Sequence, residues 1–173
     1  MSEWGRRTFG DPCRECGFSW ALDREEAVAR LAGVPPRYRE ALAGSDGRAR
    51  LPELAWSAGA YVCHVADNLR IWAERLAGAA LGSTRPVALY DEDRLAAARS
   101  YGDVAVEGAL WSLERAVDEW LVAAEMATET GAALTHAERG EIGLDDVVLT
   151  NLHDAVHHEW DIRRTVAAEG SAT

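Results

Sequence analysis

The chain has 173 residues, of which 48% are hydrophobic and 27% charged, a composition typical of one globular domain. Its net charge of -11 excludes nucleic acid and anionic membrane as main partners, because both bind positively charged protein surfaces. No apolar stretch approaches the roughly 18 residues of a membrane span. With three cysteines and no export signal, the sequence predicts a cytoplasmic protein without a disulfide framework.

The N-terminal segment differs from the rest of the chain because its first 20 residues lack helical periodicity. We expect residues 1–21 to form an extended arm that lies across the main domain and is held by its aromatic side chains. Residues 22–170 are predicted to form that domain. Strand signals are nearly absent from it, since alternating runs of β-branched and aromatic residues do not occur.

The first two predicted helices have recognisable start signals. Asp23 is the expected N-cap of the first helix, and Glu26 completes a capping box three residues later. Gly33 and the Pro35-Pro36 pair are expected to break or kink this helix. Pro52 is the predicted first residue of the second helix, because proline is favoured in a first helical turn.

The second half of the chain carries two more long helices. A minor helix is expected over 91–99, and the third long helix is predicted to start near Asp103. A loop over 131–143 precedes the fourth long helix, which is expected to begin near Leu144. Four amphipathic helices with short connections predict an all-α four-helix bundle with no more than a token sheet.

Four histidines suggest a metal site within this bundle. His64 lies midway along the second helix, and the fourth helix carries two pairs at i, i+4 spacing, which share a helix face. The pairs are His153 with His157, and Asp154 with His158. On a helical wheel, Asp154 and His158 flank the apolar stripe, whereas the other pair faces mostly outward. The competing interpretation is that these are hydrogen-bonded interior or solvated histidines without a metal.

Neighbouring polar residues add to the metal hypothesis. Asp67, Asn68 and Asp161 are predicted close enough to orient the ligands, because ligating histidines usually donate their second N–H to such a group.

Two segments resemble a known superfamily. The stretch over 62–67, Val-Cys-His-Val-Ala-Asp, resembles the metal-bearing helix of the DinB/YfiT-like superfamily, and the stretch over 153–162 resembles its final helix. The nearest type is the N-terminal domain of mycothiol-dependent maleylpyruvate isomerase. This resemblance implies a four-helix bundle of the up-down-down-up type. It also implies a metal held by one residue of the second helix and an i, i+4 pair of the last.

The resemblance assigns the ligands residue by residue. His64 takes the first position, Asp154 the position usually held by histidine or glutamate, and His158 the last. Asp161-Ile162 matches the Asp-Leu pair that follows the last ligand in the isomerase branch. The aspartate is a departure from the family pattern, and its shorter stem can weaken or move the metal. The expected metal is divalent, with zinc preferred and nickel as an alternative.

The activity implied by the resemblance is a thiol-dependent transfer or isomerisation. Its expected partners are a low-molecular-weight thiol, mycothiol, and an electrophilic small molecule. A metal-dependent hydrolase and a non-catalytic metal- or ligand-binding bundle are the alternatives. Apolar residues off the core face, such as Trp160, suggest a homodimer.

The arm contains a Cys13-x-x-Cys16 pair followed by glycine, which has the spacing of half a zinc ribbon. Three interpretations stay open: a second zinc site, a redox pair, or thiols that anchor the arm. A closed zinc site needs two more ligands, and only Cys63 remains among the cysteines.

Overall fold

A computed structural model describes residues 3–170, which form a four-helix bundle as the sequence predicts. Its helices and strands follow one another in this order: α1 (Glu3–Phe9), α2 (Arg24–Ala32), α3 (Val34–Ala41), α4 (Ala58–Ala80), α5 (Glu92–Ala98), α6 (Val106–Thr130), β1 (Leu134–His136), β2 (Gly140–Ile142) and α7 (Leu144–Gly170). The broken pair α2–α3 and the long helices α4, α6 and α7 are the four bundle members.

The first bundle member consists of two helices, α2 and α3, which are separated at Gly33. The Asp23 carboxylate accepts a hydrogen bond of 2.8 Å from the Glu26 backbone N–H and so caps α2. Gly33 ends α2 and precedes α3, whose first turn contains proline. Because proline lacks the N–H that an inner turn would need, the chain starts a new helix here. The predicted break is confirmed.

The start of α4 differs from the expectation. Pro52 lies in a loop, and the helix begins six residues later at Ala58. The Ser57 side chain accepts a 3.3 Å hydrogen bond from the Ala60 N–H, which makes Ser57 the N-cap. The preceding loop packs closely on this end of the helix, where the Gly59 N–H donates to the Gly47 carbonyl at 2.8 Å.

Two other boundaries also need correction. The third long helix begins at Val106, because Asp103 belongs to the short 3-10 turn Tyr101–Asp103 that precedes it. The loop expected over 131–143 contains the antiparallel hairpin β1–β2, three residues per strand. Val87 pairs alongside His136, which ties the linker after α4 to this hairpin.

The N-terminal arm is more structured than the expected extended segment. It contains the helix α1 and a series of turns, and its anchor is Trp20, which is fully buried. The Trp20 indole N–H donates to the Gly10 carbonyl at 2.9 Å. A Cβ atom at Gly5 would lie 2.3 Å from the Trp20 ring, so α1 can lie flat on the indole only with glycine there.

The core is continuous from the arm through the bundle. Its largest fully buried side chains come from every bundle member and from the arm, and include Trp20, Leu31, Leu69, Leu113, Trp120 and Leu152. Trp111, by contrast, is 63% exposed on α6. Among the described residues, no helix combines the length and apolar character that crossing a membrane would require.

Candidate metal centre

The three predicted ligands meet between α4 and α7. His64, Asp154 and His158 each offer one ligand atom, and these atoms lie within 4.8 Å of one another. Asp154 Oδ1 is the common partner, at 3.6 Å from His64 Nε2 and 3.5 Å from His158 Nε2. The i, i+4 spacing on α7 brings the second and third of these groups together, and α4 supplies the first from across the bundle.

Aromatic contacts fix the two imidazole rings. The Tyr61 ring stacks on His158, with centroids 4.7 Å apart and an interplanar angle of 25°. The Trp56 ring lies 5.0 Å from His64. His64 is 3% exposed, so it reaches Asp154 from within the core rather than from the surface.

Second partners orient the ligands. The Asn68 amide donates to Asp154 Oδ2 at 2.9 Å, and Asp161 Oδ2 lies 3.1 Å from His158 Nδ1. Tyr90 in turn donates its hydroxyl to Asn68 Oδ1 at 3.3 Å. Metal-binding histidines and carboxylates are typically held by such partners. Asn68 and Asp161, two of the three residues expected beside the candidate ligands, therefore contact them.

Asp67, the third of them, serves another cluster. Its carboxylate accepts a 2.6 Å hydrogen bond from the Tyr101 hydroxyl and lies 2.9 Å from an Arg99 nitrogen. Asp67 therefore helps to hold the segment that follows α5 against α4.

Two carboxylates, Asp154 and Asp161, flank His158 and suit the binding of a cation. Burial raises the pKa of Asp154, but hydrogen bonds with His158 and His64 outweigh burial and hold that pKa well below its usual range. Burial lowers the pKa of His158, yet its bonds to Asp154 and Asp161 prevail and raise it to about 9. Two carboxylates thus stabilise positive charge at this point between the helices.

A cavity of about 350 Å³ opens beside the site, and Asp154 and His158 lie in its wall. Arg75 and Arg139 also line it, and the Arg75 guanidinium donates to the Ala88 carbonyl. Asn151 contributes a buried Nδ2 without a hydrogen-bond partner in residues 3–170. Sequence reasoning missed these donors, because they come from α4, the hairpin and α7 and no short motif connects them.

His153 and His157 belong to a second group on the face of α7 that points away from the bundle core, but this face is not open to solvent at His153. His153 is 3% exposed because the arm covers its face of α7, with the Phe9 ring at 4.4 Å and the Trp20 ring at 4.7 Å. Burial lowers the pKa of His153 to about 4. Both histidines lie near the two arm cysteines rather than near His64.

Two further residues complete this picture. His136 is buried in β1, where its Nδ1 accepts from the Glu138 N–H at 3.2 Å. Trp160, off the core face as expected, is half-buried, and the Arg164 guanidinium lies 4.4 Å above its ring.

Fold and site together define a helical bundle with a two-histidine, one-carboxylate donor group at a cavity wall. No known protein-family model matches the chain, and no curated protein sequence matches it. The structure is similar to YfiT from Bacillus subtilis, with a TM-score of 0.74, 18% sequence identity, and coverage of 85% of this chain and 87% of that one. That protein is described as a probable metal-dependent hydrolase with an unusual four-helix bundle topology. At this identity the likeness shows a shared bundle fold.

Proposed function

We propose that this chain is a divalent-metal enzyme of the DinB/YfiT-like superfamily that activates a low-molecular-weight thiol against an electrophilic small molecule. His64, Asp154 and His158 would hold the metal, and zinc is the preferred ion. The observation that carries the proposal is the convergence of these three donors within 4.8 Å at the wall of a cavity.

The donor set fits a catalytic zinc site. Zinc binds imidazole nitrogen and carboxylate oxygen at about 2.0–2.2 Å, so donors around one ion lie about 3.3–3.6 Å apart. The separations of 3.5 and 3.6 Å from Asp154 Oδ1 to the two histidines agree with this requirement. Three protein ligands are also the number found in catalytic zinc sites, which keep a further position for substrate or water.

The resident cation would supply a Lewis acid that favours the deprotonated, nucleophilic form of a thiol or of water. The chain's own residues prepare the place for it. Asn68 and Asp161 hold two ligands in fixed orientations, while Tyr61 and Trp56 pack against the histidine rings. Asp154 and His158 face the cavity, so a small molecule there reaches the ligand group directly.

The cavity wall indicates the class of electrophile. Arg75 and Arg139 provide positive charge, and the Asn151 amide provides a buried donor. The arginines have aromatic rings beneath them, with Trp72 at 4.6 Å from Arg75 and Trp4 at 4.0 Å from Arg139. Donors of this kind suit a carboxylate- or carbonyl-bearing substrate. Mycothiol as the thiol rests on the family resemblance.

Metal-dependent hydrolysis is the second candidate, and the description of YfiT favours it. The same donor group can serve either reaction, because the nucleophile differs but the Lewis acid does not. A metal-binding bundle without catalytic activity is the remaining alternative.

Activity of the zinc-loaded chain separates these functions. We expect addition of the mycothiol thiol to an α,β-unsaturated carboxylate that requires zinc and that is lost in Asp154→Asn. Asp145→Asn is the matched control, because it makes the same substitution on the same helix and its carboxylate pairs with Arg24 outside the cavity. Ester hydrolysis without thiol would instead support the hydrolase. Absence of both activities in a protein that retains zinc would overturn the enzyme proposal.

A further inference from the structure

A second group of potential metal ligands joins the arm to α7. Cys13 and Cys16 lie in the turns after α1, and His153 and His157 lie one turn apart on α7. All four ligand atoms lie within 4.8 Å of one another, and Cys13 Sγ is 4.0 Å from His157 Nδ1. This group shares no residue with the one formed by His64, Asp154 and His158.

The donors match a closed, structural zinc site. Two sulfur and two nitrogen atoms complete a tetrahedron without an open position, and their spacings, Cys-x2-Cys and His-x3-His, are typical of such sites. Zinc bonds of about 2.3 Å to sulfur and 2.0–2.1 Å to nitrogen place the donors about 3.3–3.8 Å apart. The four ligand atoms lie within 4.8 Å of one another, and small side-chain rotations can bring them to the distances that zinc requires.

The histidines show two features expected of ligands. His153 Nε2 is buried and has no hydrogen-bond partner in the described part of the chain, although an unsatisfied buried polar atom is costly. His157 has its Nε2 3.2 Å from the Glu15 carboxylate, which leaves Nδ1 directed at Cys13. A carboxylate on the far nitrogen is how proteins commonly orient a zinc-bound histidine.

The arm backbone is shaped to present both sulfurs. The Cys13 N–H donates to the Phe18 carbonyl at 2.8 Å, and the Gly17 N–H donates to the Cys13 carbonyl at 3.0 Å. Gly17 has φ +73, a conformation in which glycine is favoured, so the chain can turn directly after Cys16. The glycine after the Cys-x-x-Cys pair therefore has a structural purpose.

We propose that Cys13, Cys16, His153 and His157 bind a second, structural zinc ion that fastens the N-terminal arm to α7. The alternative of a redox pair uses the two cysteines but leaves the buried His153 nitrogen unexplained. Both cysteines are free thiols, as zinc binding requires. The ion also affects the proposed active site, because Trp4 and Phe9 of the arm line the cavity beside Asp154.

The test is metal content and cobalt absorption of the full-length chain after reduction with a non-chelating phosphine. We expect two zinc ions per chain, and a cobalt form with thiolate-to-cobalt charge-transfer absorption in the near ultraviolet. The double variant Cys13→Ser, Cys16→Ser should retain one ion and lose that absorption. Cys63→Ser is the matched control, since Cys63 lies outside the cluster, and it should retain both.

Each outcome supports or overturns the proposal. It is overturned if the reduced wild type shows no thiolate-to-cobalt absorption, a result that needs no variant to fold. It is also overturned if the double variant Cys13→Ser, Cys16→Ser retains two ions. Failure of the His64 site looks different, because the wild type would then bind one ion and keep the thiolate absorption.

Discussion

Asn68 offers a sharp test of how the candidate centre is held together. Its side chain is 8% exposed, and its amide donates to Asp154 Oδ2 at 2.9 Å. Asn68→Leu keeps a similar volume but removes the donor, so Asp154 loses the bond that fixes its carboxylate plane. Tyr90→Phe is the matched control, because it removes only the hydroxyl that donates to Asn68 Oδ1 at 3.3 Å.

The size of the effect follows from the contacts that remain. Removing a residue that orients a ligand typically weakens metal binding by about 10–100-fold, or about 1.4–2.7 kcal/mol. Asp154 Oδ1 stays close to both histidines in the variant, so we expect the lower end, about tenfold, for Asn68→Leu. Tyr90→Phe should cause a smaller loss, because the Asn68 amide still reaches Asp154.

Zinc affinity is best measured by competition with a chromogenic chelator in a background that carries both Cys13→Ser and Cys16→Ser, which isolates the His64 site. Circular dichroism before and after zinc addition checks that each variant is folded. Unchanged affinity in Asn68→Leu, with the fold intact, would refute the idea that Asn68 orients the carboxylate. Equal losses in Asn68→Leu and Tyr90→Phe would show that the hydroxyl, rather than the amide, controls the site.

Three other predictions concern the scaffold and the assembly. Ser57→Ala should lower the free energy of unfolding by about 1 kcal/mol in urea titration, because it removes the N-cap of α4, and no change would contradict that start point. Gly5→Ala should destabilise the chain by about 1–3 kcal/mol, because the new methyl group would meet the Trp20 ring, and an unchanged melting temperature would show that α1 is held differently. A homodimer stays a prediction, and sedimentation of a monomer at micromolar concentration would end it.

The bundle could be predicted from sequence because its signals are local. Each signal depends on residues that are close in the chain, as in the Asp23 cap, the helix break at Gly33 and the apolar periodicity of the long helices. The start of α4 could not be found in this way. Pro52 satisfies the rule for a first turn, but the loop contact between Gly47 and Gly59 and the Ser57 cap decide the boundary, and that contact is tertiary.

The candidate ligands could be predicted from their positions on a helical wheel, whereas the residues that surround them could not. Position relative to the apolar stripe distinguished Asp154 and His158 from the second pair on α7. The same wheel gave the wrong environment for His153, because it describes one helix and the arm covers the opposite face. The i, i+4 spacing of His153 and His157 was the sequence signal that could have suggested them as partners of Cys13 and Cys16, which lie at the other end of the chain.

Anomalous diffraction from crystals grown with zinc tests the central claim most directly. We predict an anomalous peak about 2.0–2.2 Å from His64, Asp154 and His158 together. Two results would contradict the claim. In one, the three side chains are ordered but no peak lies between them. In the other, zinc is bound only at His153 and His157.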